Sequence, residues 1–361
     1  MSDEQTIMPI ADSRREVAEQ PAVVARVLRE LRSQIQELAA TLLERDIRQF
    51  FLLGSGDSWF AGLMARLAFE RYGGVPVEPL QAYEYAAYGH PGFEARTAAI
   101  IISSSGRPTT TWDALERALA TRAYVVGISD QRYTGNPFIE KAHTALVPGA
   151  VKKGMPAQTT TATLAVLIDL AIEFGRASGH LSSSQADDNS AKLRSSVEHM
   201  QTVLVDSDNL AGPLAQALQG RRFFTFIGGG PSYGVAHVGS ALMAEGPQEV
   251  GLPLAVEEFH HALRFGTIAP AEPVVLIAPT GQVSSRNLDT ARSVSNWGAQ
   301  LIAIVDENDE TITPLAETVF SLPPVPEPMS PLLTLLPLHN LSIHLAAQKI
   351  AAGYHRPSAV P

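Results

Sequence analysis

The sequence predicts an α/β protein of two tandem subdomains, each a doubly wound parallel sheet of the flavodoxin-like type. Short apolar runs alternate with helical patterns along the chain, which is typical of a parallel sheet covered by helices on both faces. Two of these runs end in glycine-rich turns, Gly54-Ser55-Gly56 and Gly228-Gly229-Gly230. The two halves of the chain also resemble each other, and this repeat is the third observation behind the prediction.

The first half begins with a helical pattern and continues with short strands. Apolar residues recur at helical spacing over about 13–44, where Pro21 is a candidate interruption. Apolar runs then predict strands over 49–53, 75–80, 98–102, 124–128 and 145–148. The segments between and after them predict helices over about 58–72, 110–120 and 160–175.

The second half repeats this order after a segment that we interpret as a linker. That segment, 177–192, is rich in Ser, Asp and Gly, and helical patterns follow it over about 191–205 and 210–219. Strands are predicted over 223–227, 274–278 and 301–305. Helices are predicted from Ser232, over about 284–297 and over about 332–352.

Four blocks of the first half recur in the second half in the same order and at nearly constant spacing, which chance does not readily produce. The pairs are 51–62 with 225–236, Glu84 with Glu258, 100–106 with 275–281, and 123–130 with 299–306. We therefore expect an N-terminal helical segment, two copies of one fold joined by linker helices, and a C-terminal helix and tail. The corresponding ranges are 1–45, 46–180, 181–215, 216–325 and 326–361.

Composition and charge exclude several classes of protein. A chain of 361 residues that is 45% hydrophobic is not intrinsically disordered. The absence of cysteine excludes a disulfide framework, a thiolate metal site and a cysteine nucleophile. A net charge of -10 argues against a nucleic-acid partner. The chain has no secretory leader and no apolar run of membrane-spanning length, so we expect a cytoplasmic protein with no membrane partner.

Two turns rich in hydroxyl groups predict a phosphate site in the first half. Gly54–Ser58 and Ser103–Thr111 each follow a predicted strand and enter a predicted helix. Glycines allow close approach of the backbone, and unpaired N–H groups at a helix start attract an anion. Either turn alone is also explained by helix capping, but the two lie at carboxyl ends of strands in one sheet, where such folds bind ligands. In the second half Ala278-Pro279-Thr280-Gly281 replaces the serines, so we expect that copy to have lost the phosphate.

The duplicated glycine turns, the Ser103–Gly106 loop, and Glu245 followed sixteen positions later by His261 resemble the sugar isomerase (SIS) family. This family includes the isomerase half of glucosamine-6-phosphate synthase and the fructosamine-6-phosphate deglycases. The resemblance covers residues 35–355, nearly the whole chain. It implies a cradle for a substrate phosphate formed by Gly56, Ser58, Ser103, Ser105 and a threonine, Thr109 or Thr110.

The resemblance also implies catalytic roles in the second half. Glu245 would be the base that moves a proton between C1 and C2 of an open-chain sugar. His261 would open the ring or relay protons and can, in relatives, come from the neighbouring subunit; His260 stays an alternative to it. Glu258 corresponds to the family's glutamate three residues before the histidine. Such chemistry needs one base that reaches both carbons and an acid that opens the ring, with no metal and no cofactor.

The chain departs from the family's pattern at several places. It carries no N-terminal glutaminase with a terminal cysteine, so we do not expect glutaminase activity. Gly154–Thr161 replaces the usual Ser-Thr-Lys run, and Ala262-Leu263 follows His261 where Gly-Pro is common. The neighbouring Lys152 and Lys153 are expected to be a solvated pair.

These observations predict an enzyme that acts on a 6-phosphorylated ketose, aldose or sugar-amine adduct by enediol or enaminol chemistry. Isomerase and deglycase activities both stay open. The alternative is a phosphosugar-binding sensor without catalysis, which would need the phosphate site but no base. The family's habit of sharing its site between subunits implies a homodimer or a higher homo-oligomer.

Overall fold

The structure, a computed structural model, describes residues 9–107 and 110–353, and the chain forms two compact units. The first unit comprises Gln20–Val151 and Gln158–Glu198. The second comprises the described residues up to Glu19, the segment Lys152–Ala157, and the described residues from His199 onward. Each unit contains one parallel sheet, so the predicted fold class is confirmed.

In the described residues each sheet has five parallel strands. The strands of the first sheet are β1 (Gln49–Gly54), β2 (Val77–Gln81), β3 (Thr97–Ile102), β4 (Tyr124–Ile128) and β5 (Thr144–Leu146), in the order β2-β1-β3-β4-β5. Those of the second sheet are β6 (Phe223–Gly228), β7 (Val250–Ala255), β8 (Pro273–Ile277), β9 (Gln300–Asp306) and β10 (Thr318–Leu322), in the order β10-β9-β8-β6-β7. Read from β7, the second order is that of the first sheet, which is the order expected of two copies of one fold.

Helices connect these strands and precede and follow them. Before and within the first sheet they are α1 (Ile10–Glu30), α2 (Arg32–Glu44), α3 (Asp57–Ala68), α4 (Ala82–Tyr88), α5 (Thr110–Leu119) and α6 (Pro137–Glu140). The later ones are α7 (Gln158–Ser178), α8 (Ser183–Ala217), α9 (Pro231–Glu245), α10 (Val256–Glu258), α11 (Arg264–Thr267), α12 (Ser284–Asn296) and α13 (Pro331–Ala351). Short π-helical turns occupy Phe69–Gly73 and Phe259–Leu263, and 3-10 turns occupy Thr313–Leu315 and Glu327–Met329.

The central strands are buried on both faces, which explains their continuous apolar sequence. All six residues of β3 and all five of β4 are buried. In the first unit Phe93 stacks between Phe51 and Tyr85, with ring centroids 4.5 Å and 4.1 Å away. In the second unit Phe259 and the apolar side chains of β8 and β9 form the equivalent core.

The structure corrects one expectation about the helices and extends the predicted helical range at another place. Helix α1 continues through Pro21, and the break lies at Leu31, because burial of Val17, Val24 and Val27 offsets the hydrogen bond that a proline removes. Helix α8 begins at Ser183 and runs without interruption to Ala217, so most of the segment 177–192, which we interpreted as a linker, is helical. A pattern of polar residues marks an exposed face there, not the absence of a helix.

Candidate functional site

The carboxyl edge of the first sheet carries a crevice of the kind that binds ligands in doubly wound folds. β2 lies on one side of β1 and β3 lies on the other. The connections after β1 and β3 therefore leave in opposite directions across the sheet, which makes the gap between β1 and β3 the topological switch point. Ligands of such folds bind outside the strand ends at this point. The loops that follow β1 and β3, both predicted from the sequence, border it.

Hydroxyl and amide groups of three loops meet in this crevice. Ser55 Oγ, after β1, lies 3.4 Å from Thr111 Oγ1 at the start of α5. Gln81, the last residue of β2, donates from Nε2 to Ser55 Oγ at 3.3 Å and accepts the Glu84 N–H at 2.9 Å. Thr111 closes the hydroxyl-rich turn predicted from the sequence, whereas Gln81 was not predicted, because it belongs to no recognisable motif and only the folded sheet brings it to Ser55.

The structure places the predicted phosphate residues around the same crevice. Gly56 is the N-cap of α3 and Ser58 lies in its first turn, while Ser103 and Ser105 lie in the loop after β3 and Thr110 begins α5. Ser103 is buried, Ser58 is half-buried, and Gly56, Ser105 and Thr110 are exposed. Thr109, the other candidate threonine, lies outside the described residues.

The glycines of the β1 turn are required by its geometry. A Cβ atom at Gly54 would approach the backbone of Ser58 to 2.6 Å, so only glycine permits α3 to start this close to β1. Gly56 has φ 54° and ψ -131°, and Gly230 in the second copy has φ 55° and ψ -129°. The two copies therefore keep one turn geometry even where their side chains differ.

Asp130, which sequence analysis did not single out, braces the loop after β3. It follows β4, is 6% exposed, and accepts the Ala150 N–H at 3.0 Å, while its own N–H donates to Ser104 O at 3.1 Å. Burial raises the pKa of Asp130 to about 6, although a hydrogen bond from the Ser104 hydroxyl, the Ala150 N–H and the charge of Arg26 oppose the rise. A carboxyl group with a raised pKa thus lies beside the loop after β3 that contains Ser103, Ser104 and Ser105, which we call the serine loop.

In the second copy a carboxylate occupies the corresponding crevice. Glu327 Oε1 accepts the Gln282 N–H at 3.1 Å, and a Cβ added to Gly281 would overlap the same carboxylate. The turn glycine Gly230 is also near, because a Cβ added there would lie 3.6 Å from Glu327 Oε1. A built-in anion thus takes the position that a phosphate would need, which gives a physical reason for the expected loss of phosphate binding.

Glu245 and His261 lie at opposite ends of the strands of the second sheet. Glu245 is the last residue of α9, which leaves the carboxyl end of β6 and leads to the amino end of β7. His261 and Glu258 follow the carboxyl end of β7. Fifteen helical residues span about 22 Å, so within the second unit of one chain Glu245 does not meet His261.

The region around His261 is an exposed turn with an ion pair beside it. The His261 side chain is 66% exposed, and its backbone (φ -90°, ψ -139°) departs from helical values inside the π-helical turn. His261 Nε2 lies 3.5 Å from Glu257 Oε1. Arg286 donates to both oxygens of Glu257, at 2.6 Å and 2.9 Å, and this hydrogen-bonded pairing lowers the pKa of Glu257. Glu258, the glutamate that the family pattern singles out, is exposed.

The His260 ring makes a hydrogen bond, whereas the His261 side chain is exposed to solvent. The Thr290 hydroxyl donates to Arg286 O at 2.9 Å, so His260 Nε2, 2.8 Å from Thr290 Oγ1, carries the proton of that contact. Partial burial, followed by the charge of Arg286, lowers the pKa of His260. The hydrogen-bonded ring stabilises the turn that presents His261.

The part of the chain that the structure describes contains neither a cluster of three metal-binding side chains nor a helix long and apolar enough to cross a membrane.

Comparisons with known proteins agree with this architecture. No protein-family model matches the chain. The glutamine–fructose-6-phosphate aminotransferase (isomerizing) of Gloeobacter violaceus is 28% identical over 349 residues, which are 93% of this chain and 55% of that protein. A Thermus thermophilus protein of the same name is also 28% identical, over 92% of this chain and 55% of its own length. The chain thus spans about half the length of these relatives.

Solved structures show the same fold. The C-terminal domain of glucosamine-fructose-6-phosphate aminotransferase from Francisella tularensis superposes with a TM-score of 0.83 at 19% identity, covering 93% of this chain and 96% of that one. The predicted resemblance to the SIS family is confirmed. Another solved structure, tagatose-6-phosphate ketose/aldose isomerase from Escherichia coli, has a TM-score of 0.75 at 16% identity and covers 96% of this chain and 97% of that one.

Proposed function

We propose that this SIS-type protein is an enzyme that processes a 6-phosphorylated sugar or sugar-amine adduct by enediol or enaminol chemistry at C1 and C2. The observation that carries the proposal is the crevice between β1 and β3, where Ser55, Thr111 and Gln81 converge beside the predicted phosphate residues. Hydroxyl groups and helix-start N–H groups suit a phosphate held by hydrogen bonds. The names of the relatives support a phosphosugar as the ligand.

In this proposal the residues of the crevice between β1 and β3 bind the substrate phosphate, and Glu245 and His261 supply the proton-transfer groups. Gly56, Ser58, Ser103, Ser105 and Thr110 hold the phosphate and so fix the distance from it to C1 and C2. Glu245 takes a proton from one carbon of the open-chain sugar and returns it to the next. Holding the substrate at one end allows a single carboxylate to serve both carbons, because positioning replaces a second base.

We assign ring opening to His261 and not to His260. His260 is engaged with Thr290, whereas His261 is exposed beside Glu257. Because Glu245 and His261 lie at opposite ends of the strands of the second sheet, the proposal requires a homo-oligomer in which one copy supplies His261 to another. Exposed apolar side chains next to His261 support such an interface, since Phe265 is 66% exposed and its ring lies 5.8 Å from that of Trp297.

Isomerisation is the reaction that the comparisons favour. Both the aminotransferase relatives, whose name includes an isomerising step, and the tagatose-6-phosphate ketose/aldose isomerase point to proton transfer between C1 and C2. A deglycase would use the same first proton transfer and then expel an amine. Release of amine from a fructosamine 6-phosphate, measured beside aldose–ketose interconversion, separates these reactions.

A phosphosugar sensor without catalysis is the second candidate. It is favoured by the separation of Glu245 from His261, because a single copy then holds a phosphate crevice without an assembled acid and base. A sensor would bind phosphosugars with an unchanged constant in Glu245→Gln.

Solvent deuterium exchange tests the enzyme against the sensor. The chain is incubated in D₂O with fructose 6-phosphate, and loss of the C1 proton signal is followed by ¹H NMR. We expect exchange in wild type and its loss in Glu245→Gln, with free fructose as a control that lacks the phosphate. Binding without exchange across a panel of phosphosugars and fructosamine phosphates would reject the enzyme and leave the sensor.

A further inference from the structure

We propose that Ser55 binds the substrate phosphate through its hydroxyl hydrogen and that Gln81 is the positioning residue that directs this hydrogen. The inference deepens the proposed function and rests on the crevice between β1 and β3 being its phosphate site. Ser55 follows β1 in the first glycine turn, and Gln81 is the last residue of β2. Neither residue is among those that the family resemblance assigns to the phosphate cradle.

Two hydrogen bonds fix the orientation of the Gln81 amide. Gln81 is the N-cap of α4, and its Oε1 accepts the Glu84 N–H at 2.9 Å. Because a backbone N–H can only donate, the amide oxygen faces Glu84 and the amide nitrogen is left for the other contact. That nitrogen, Nε2, lies 3.3 Å from Ser55 Oγ. Gln81 is therefore the donor in this contact and Ser55 is the acceptor.

The Ser55 hydroxyl thus accepts one hydrogen bond and keeps its own hydrogen for another partner. Thr111 Oγ1 lies 3.4 Å from Ser55 Oγ, well beyond the distance of about 2.7–2.8 Å that is usual between two hydroxyl oxygens. A contact of this length is weak, so a ligand oxygen replaces it at little cost. The oxygens of a dianionic phosphate only accept hydrogen bonds, and a hydroxyl whose hydrogen points away from Gln81 suits them.

Ser55 also lies where the sequence predicts the anion. It directly precedes Gly56, and Thr111 directly follows Thr110, two residues of the predicted phosphate cradle. The contact between Ser55 and Thr111 therefore joins the two hydroxyl-rich turns. Ser55 is half-buried, so its hydroxyl stays accessible to a ligand in the crevice.

The second copy of the fold provides an internal comparison, because it keeps the backbone of this arrangement and lacks both side chains. In the repeated glycine turns, Gly229 stands where Ser55 stands in the first copy. Ala255 stands where Gln81 does, since each of them pairs with the last residue of the neighbouring central strand. The two side chains are thus present together in one copy and replaced together in the other.

The fold itself does not require the Gln81 side chain. Ala255 is the N-cap of α10 with φ -65° and ψ 141°, close to the φ -70° and ψ 127° of Gln81, and it makes no side-chain cap. A helix therefore follows this strand end without a glutamine. The pair belongs to the copy whose crevice is lined by hydroxyl groups, whereas Glu327 occupies the crevice of the other copy. This difference supports a role in binding.

Dissociation constants for inorganic phosphate test the role of Ser55. The full chain is titrated above neutral pH, where phosphate is mainly a dianion, and the ³¹P line width gives the constant. We expect Ser55→Ala to weaken binding about tenfold or more, because a hydrogen bond to a charged group is lost. Thermal melts verify that each variant is folded.

Gln81→Glu tests the direction of the hydroxyl, because it keeps the N-cap and reverses the contact with Ser55. One carboxylate oxygen still accepts the Glu84 N–H, but the other also accepts, so the Ser55 hydrogen turns toward it and away from phosphate. The new charge also repels phosphate, so the substitution is made both in wild type and in Ser55→Ala. The repulsion is common to both backgrounds, and we expect Gln81→Glu to weaken binding about tenfold more where Ser55 is present.

Ala255→Glu is the matched control for the added charge. It places a carboxylate at the equivalent strand end of the second copy, where glycine replaces the serine, and its phosphate constant stays at the wild-type value. An unchanged constant in Ser55→Ala overturns the binding role of Ser55. An equal effect of Gln81→Glu in both backgrounds overturns the positioning role of Gln81.

These outcomes are separate from those of the proposed function, because phosphate binding needs no turnover. The expected constants in a protein without deuterium exchange would confirm the Ser55 contact and reject the enzyme. Exchange that persists beside an unchanged constant in Ser55→Ala would keep the enzyme and reject the contact. A wild-type chain that binds no phosphate would reject the contact together with the phosphate site on which it rests.

Discussion

Replacing Asp130 by asparagine tests the view that a buried, titratable carboxyl braces the serine loop. The asparagine side chain keeps an oxygen for the Ala150 N–H, and its amide faces the Ser104 hydroxyl, which can turn to accept. The substitution therefore removes the charge while it preserves the shape and most hydrogen bonds. Any change in stability that depends on pH then reports the cost of burying the carboxylate.

The magnitude follows from the pKa of Asp130, which burial raises from 3.8 to about 6. A difference of about two units at about 1.4 kcal/mol each limits the cost of ionisation to about 3 kcal/mol. Because the folded pKa lies above the unfolded value, the native state holds more protons between them. Wild-type stability therefore falls as pH rises from about 4 to 6, and the full penalty persists above that range.

We expect Asp130→Asn to gain about 2 kcal/mol relative to wild type between about pH 4.5 and about pH 7.5. Urea unfolding of both proteins at several pH values measures the difference, followed by tryptophan fluorescence from Trp59 and Trp112 in the first unit and Trp297 in the second. Taking the difference between the two proteins cancels the other titrating groups. A difference that is constant with pH, or one that moves in the opposite direction, would refute the argument.

Other expectations address the strand core and the second crevice. Gly127→Ala in β4 should destabilise the first unit severely, because the added Cβ would overlap Phe138 O, whereas Gly266→Ala meets no atom within 4 Å; thermal melts compare the two. Glu327→Ala should cost about 0.5–1.5 kcal/mol, the net value of an exposed hydrogen bond, because water replaces the carboxylate at the Gln282 N–H, and added phosphate should restore part of the melting temperature. Burial alone would raise the pKa of Asp309, but hydrogen bonds from backbone N–H groups lower it overall. Asp309→Asn should therefore lose stability at neutral pH and approach wild type as pH falls below the ordinary carboxyl range, as pH-dependent melts can test.

The sequence by itself determined the architecture of this protein. Strand and helix periodicity are local properties of the sequence. The four repeated blocks indicate that the same fold occurs twice in the chain. The glycine turns were equally readable, because the positive φ of Gly56 and Gly230 is a requirement of the backbone that few other residues meet. These features were recognised with their positions because each depends on residues close together in the chain.

The composition of the candidate site was decided only by the tertiary structure. Gln81 and Thr111 reach Ser55 from other elements, and Glu327 enters the second crevice from a distant turn. No spacing rule predicts such contacts, because they join residues that are far apart in sequence. Sheet order and packing bring these groups together. The same topology puts Glu245 and His261 at opposite ends of the strands of one sheet.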